Sequence, residues 1–198
     1  MNIKLLAVAG VGALALAACG QSTTPATTTD TPSTVSDTSA PPPAAAPVTA
    51  ADFVTKVAMS DMYEIQASQL ANRRAGNAQI RTFAQTMVHD HTATSTQLRG
   101  IVRGHADLPL PTALDQAHQD MLRDLTNASA AEFDQKYIDQ QTHAHEDAEH
   151  LLTDYAQGGD NPDLRSFATE TAPKVQHHLD MVRALDHSGA DEPSNAHN

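Results

Sequence analysis

Four polar residues of the types that bind metal ions stand where the sequence otherwise predicts a hydrophobic core. They are Glu64, His91, His145 and His178. His91 lies in the middle of a stripe with three- and four-residue spacing, formed by Ile80, Ala84, Met87, Thr94 and Leu98. The other three interrupt similar stripes. A buried imidazole or carboxylate is costly unless it has a hydrogen-bond partner or a ligand. Three imidazoles and one carboxylate form a donor set suited to Zn, Fe, Mn or Cu.

Counting along the chain places the four residues at similar heights in their helices. The first two lie 12 residues before and 15 residues after Gly76, and the last two lie 13 residues before Gly158 and 16 after Pro162. At about 1.5 Å per residue these distances are nearly equal. Short turns make each pair antiparallel neighbours, so we predict that all four side chains meet in one layer of a helical bundle.

Two interpretations of this layer follow from the residues alone. The first is a site for one transition-metal ion, with Asp90 orienting a ligand from outside the coordination sphere. The second is a hydrogen-bonded polar layer that fixes the register of the helices and binds no metal.

The elements that must position these residues are four long amphipathic helices. Aromatic residues make up only 4% of the chain and Trp is absent, which favours packed helices over strands. Gly76, the Gly158-Gly159 pair and the Leu108–Pro111 segment end helices, and Ser129 with Glu132 forms a capping box. The predicted helices are Asp52–Arg74, Ala78–Gly104, Ala130–Gln157 and Asp163–Asp186, with a shorter one at Ala113–Leu125. The sequence thus predicts an all-α antiparallel four-helix bundle with one short extra helix between helices 2 and 3.

The N-terminal segment has the pattern of a bacterial lipoprotein. Met1–Ala18 combines a basic start with a short apolar run, and Cys19 stands where the cleavage site is expected. We predict a signal peptide at 1–18, a lipidated Cys19 opening a disordered Thr/Ser/Pro/Ala tether at 19–50, a bundle domain at 51–187 and a disordered tail at 188–198. Lipidation is expected to anchor the protein to the outer membrane, on its periplasmic face.

Charge and motifs narrow the function. The net charge of −12 disfavours nucleic-acid binding. The chain lacks a nucleophile elbow, a phosphate loop and a dinucleotide fingerprint, so an enzyme is not favoured. The alternative to a metal-binding protein is an interaction or scaffolding module whose acidic helix faces recruit another envelope protein.

Four segments of the chain together resemble the bacterial domain-of-unknown-function family 4142. They are TFAQTMVHDHT, LPLP, AEFDQKYIDQQTHAHEDAEHLL and LRSFATETAPKVQHHLDMVRAL, within Asp52–Leu185. The resemblance implies a ferritin-like four-helix bundle in exported proteins that are often lipoproteins, with no established activity. It also implies that Glu64, the Asp90-His91 pair, His145 and His178 are the family's typical polar residues. The Glu-x-x-His motifs of di-iron ferritin-like enzymes are missing, because Val88, Thr142 and Val175 stand three residues before the histidines. The absence of these motifs disfavours a two-metal oxidase and leaves a site for a single metal ion.

Overall fold

A computed structural model describes residues 48–190 of the 198-residue chain. The predicted signal peptide, Cys19, most of the tether and residues 191–198 lie outside the described residues. Within residues 48–190 there are five helices and no strand: α1 (Ala50–Arg74), α2 (Ala78–Val102), α3 (Gln116–Asn127), α4 (Ala130–Gly158) and α5 (Pro162–Ala190). The predicted all-α bundle with a short extra helix between its second and third long helices is confirmed.

Local capping explains why two helices begin at residues other than the predicted ones. The Thr49 side chain accepts a hydrogen bond from the Asp52 N–H at 3.2 Å, so α1 begins at Ala50 instead of Asp52. The Asp115 carboxylate caps α3 in the same way and moves its start from Ala113 to Gln116. The C-terminal end of α5 also differs from the predicted one. The helix continues to Ala190, so residues 188–190, predicted as part of a disordered tail, are helical.

Two helical hairpins, α1–α2 and α4–α5, pack side by side to form the bundle. The carboxylate of Asp134 on α4 accepts hydrogen bonds from the backbone N–H groups of Gly76 and Asn77, at 3.0 and 2.8 Å. The Arg74 guanidinium donates to the carbonyls of residues 125, 126 and 128, which holds the end of α3 against α1. These contacts fix the height of one hairpin relative to the other.

The hydrophobic core consists of two clusters, and each long helix contributes to both. One cluster centres on Tyr63, Phe83 and Tyr137, and the other on Phe53 and Tyr155, whose rings stack at 3.9 Å. Each long helix also contributes buried polar side chains, which we call the polar layer: Asp61, Glu64, Ser68, His91, Gln141, His145, Thr171 and His178. No helix within residues 48–190 has the length and hydropathy needed to cross a membrane.

Candidate metal site

Three histidines from three helices meet in the polar layer. One ring nitrogen each from His91 (α2), His145 (α4) and His178 (α5) lies within 4.8 Å of the other two. The ring centroids are 5.4–5.6 Å apart, and none of the three residues is more than 6% exposed. We call this group the three-histidine cluster.

A hydrogen bond on the outer side of each ring fixes its orientation. His91 Nδ1 donates to Asp61 Oδ1 at 2.8 Å, and His178 Nε2 donates to Asp90 Oδ2 at 2.9 Å. His145 Nδ1 is 2.8 Å from the backbone carbonyl of Gln141, on the preceding turn of α4. Since a carbonyl can only accept, His145 carries its proton on Nδ1 and has a lone pair on Nε2.

The remaining nitrogen of each ring is buried and has no hydrogen-bond partner among the described residues. These atoms are His91 Nε2, His145 Nε2 and His178 Nδ1. With neutral rings and outward-facing protons, all three present lone pairs. Three buried lone pairs cannot form hydrogen bonds with one another, because a hydrogen bond needs a donor. A single cation can be coordinated by all three lone pairs.

The spacing of the cluster also suits a metal ion. Three nitrogens no more than 4.8 Å apart lie within about 2.8 Å of a common point. A Zn–N bond measures about 2.0–2.1 Å. Each ring therefore has to move by less than about 1 Å, which side-chain torsions can accommodate.

Glu64 belongs to the same layer but not to the three-histidine cluster. Its side chain is 1% exposed, and its Oε2 accepts a hydrogen bond from Gln141 Nε2 at 2.6 Å. Its Oε1 has no hydrogen-bond partner, and burial raises the pKa of Glu64 to about 7. Gln141 thus connects this carboxyl group to the carbonyl that orients His145.

The electrostatics of the three imidazoles differ although all are buried. Burial lowers the pKa of His145 to about 3, and the neighbouring His91 adds to this effect. Burial also lowers the pKa of His178, against the opposing hydrogen bond to Asp90. Burial acts in the same direction on His91, but the hydrogen bond to Asp61 and the charge of Glu64 outweigh it, so the pKa of His91 is raised. Metal-free protein therefore keeps at least two imidazoles neutral at pH 7.

The structure brings together three of the four predicted ligands and shows partners that sequence reasoning missed. Asp90 accepts from His178 across the bundle, not from the adjacent His91. Asp61, which orients His91, was not predicted, although it follows Val57 by one turn and precedes Glu64 by three residues, a spacing that indicates an inward position. The role of Gln141 was not predicted either, because the group that contacts His145 is its backbone carbonyl.

The chain belongs to the family described as domain of unknown function DUF4142, which matches residues 35–185. The match confirms the resemblance seen in the sequence. A comparison with curated protein sequences finds no significant match.

Among solved structures, the chain is similar to CopM in its Cu(II)-bound form, with 15% identity and a TM-score of 0.60 over 71% of this chain and 97% of that one. CopM in its Cu(I)-bound form is similar at 13% identity, with a TM-score of 0.60 over 71% and 96% of the two chains. A silver-bound form of CopM matches at 14% identity and a TM-score of 0.59 over the same shares of the two chains. At this identity the likeness establishes a shared helical-bundle fold.

Proposed function

We propose that this protein binds one copper ion in the bacterial cell envelope through His91, His145 and His178. The observation that carries the proposal is a cluster of three buried histidines within metal-binding range of one another, each with one ring nitrogen held by an acceptor and the other without a hydrogen-bond partner. Such an outer acceptor is the usual partner of a metal-bound histidine, since it fixes the tautomer and makes the facing nitrogen a better ligand.

The same geometry argues against a layer that serves only helix register. A structural network stabilises a fold when each buried polar atom finds a partner, and a partly satisfied one is less favourable than an apolar core. Here the polar layer leaves one atom on each of five side chains unpaired, those of Glu64, Gln141 and the three histidines. A cation bound to the three-histidine cluster supplies the missing partner for three of them.

Copper is the metal that the donor set and the structural neighbours favour. Imidazole ligands suit Cu, Zn, Fe and Ni, and among divalent ions of this series Cu²⁺ binds most tightly to a given site. The similar structures are CopM in Cu(II)-, Cu(I)- and Ag-bound forms. In our proposal Asp61, the Gln141 carbonyl and Asp90 orient the ligands, and Glu64 lies in the same polar layer without binding the ion.

The proposed place of action follows from the N-terminal sequence. Cleavage before Cys19 and lipidation of its thiol would tether the domain to the outer membrane, facing the periplasm, where an envelope protein is a natural partner for metal delivery. A Cys19→Ser substitution in the full chain is expected to move the protein from the membrane fraction to the soluble periplasmic fraction. Retention in the membrane would contradict the anchor and leave the metal site unaffected.

Metal content tests the proposal directly. The domain spanning residues 48–190, purified without a His tag and loaded with copper, is expected to hold about one ion per chain by mass spectrometry, and His178→Ala is expected to hold much less. His150→Ala is the matched control, because it removes an exposed histidine from α4 and should keep full occupancy.

The outcomes separate the two interpretations of the layer. A domain that binds no copper, with a large loss of stability in His178→Ala, would mean a structural network in an interaction or scaffolding module. Zn²⁺, Mn²⁺ or Fe²⁺ displacing copper in competition would keep the site and refute the choice of metal.

A further inference from the structure

A cleft of about 770 Å³ adjoins the three-histidine cluster. Its walls come mainly from α1 and α4, and its lining includes His91 and His178 together with their acceptors Asp61 and Asp90. Exposed lining residues such as Lys56 show that it opens to solvent. The volume lies within the range of small-molecule binding sites.

Small side chains leave room for part of the cleft. Ser60, Thr94, Ala144 and Ala148 line it on three helices. The flanking core clusters contain large aromatic rings instead, such as the stacked pair Phe53 and Tyr155.

The three-histidine cluster needs a further donor for most transition ions. Three protein ligands leave at least one position open on a four-coordinate ion, the arrangement found in catalytic zinc sites. Glu64 lies outside the group of nitrogens, and Gln141 holds one of its oxygens. His91 and His178 belong to both the cluster and the lining of the cleft, which makes the cleft the candidate route from solvent to that open position.

We infer that the cleft admits a small uncharged nitrogen or sulfur donor, of the imidazole, amine or thioether class, to the open coordination position of the bound metal. This inference rests on the proposed metal site. The charges of the lining favour an uncharged donor over an anionic one. Asp115, Asp147 and Asp154 line the cleft against Lys56 and Lys174, in addition to the two carboxylates that hold the histidines. This excess of negative charge disfavours an anion.

Spectroscopy of the Cu(II)-loaded domain tests the inference, with free imidazole and azide as probes. Imidazole is expected to change the electron paramagnetic resonance spectrum saturably and add a nitrogen coupling while copper stays bound at one per chain. Azide, an anion of similar size, is expected to bind at least about tenfold more weakly. Tighter binding of azide than of imidazole would overturn the ligand class.

Filling the cleft provides the structural test. Ala148→Leu and Ala148→Phe place progressively larger side chains on the half-buried α4 wall and are expected to weaken imidazole binding in that order, by about tenfold or more for Phe. Ala93→Leu, on the exposed face of α2, is the matched control and should bind imidazole like the parent domain. If Phe prevents folding, the Leu variant alone decides.

Each result has one meaning. Copper bound at one per chain with no spectral response to imidazole, or an unchanged response in Ala148→Leu, would overturn the cleft inference and leave the metal site standing. No copper in the parent domain would overturn the metal site and the cleft inference with it.

Discussion

Replacing Glu64 with Gln should change how the stability of the metal-free domain depends on pH. Burial raises the pKa of Glu64 from 4.5 to about 7, so folding favours its protonated form. A carboxyl group with a raised pKa supports the fold fully below pH 4.5, and this contribution is lost as pH rises through 7. At 1.36 kcal/mol per pKa unit the whole shift corresponds to about 3.4 kcal/mol, and the parent loses about 2.5 kcal/mol of this between pH 5 and pH 8.

The variant lacks this titration. The difference between the free energies of unfolding, variant minus parent, should therefore increase by about 2.5 kcal/mol from pH 5 to pH 8. Urea unfolding of both proteins at pH 5, 6, 7 and 8, in the presence of a chelator, measures the difference. Glu170→Gln removes an exposed carboxyl group and is the matched control. Parallel pH profiles for the parent and Glu64→Gln would refute the assignment of Glu64 as a buried carboxyl group that is mostly protonated below pH 7.

Two further substitutions probe the support of the cluster and the packing of the bundle. Asp61→Asn removes the charge that orients His91 and should weaken copper binding by about 10–100-fold in a competition titration, whereas unchanged affinity would exclude that role. Gly159→Ala places a Cβ against the Tyr155 ring and should lower the free energy of unfolding by about 1–3 kcal/mol. Gly158→Ala is the control, because a Cβ there meets open space and should not lower it. Equal effects of the two substitutions would contradict the packing around Tyr155.

The helices were predictable because their signals are local. Gly76 and the Gly158-Gly159 pair mark turns, and apolar residues recur at helical spacing between them. The convergence of the histidines followed from counting residues away from those turns. Residues equally far from a short turn lie at the same height in the two antiparallel helices that it joins. The end of α5 was wrong, because a polar composition does not stop a helix that has already formed on the bundle.

The supporting contacts were less predictable, because they depend on the direction of single side chains. Asp90 and His91 are neighbours in sequence, but on a helix they point about 100° apart, so Asp90 reaches His178 instead. The Gln141 carbonyl accepts from His145 one turn later, a role that any residue type can fill. Whether Glu64 joins the cluster depends on the position of its side chain, which helical counting does not resolve.

X-ray absorption spectroscopy of the copper-loaded domain, with the ion-to-protein ratio measured on the same sample, tests the central claim most directly. Our account predicts about one ion per chain and a first coordination sphere that contains three imidazole rings, falling to two in His145→Gln. Fewer than three imidazoles in the parent domain, or the same number in the variant, would contradict a site built from His91, His145 and His178.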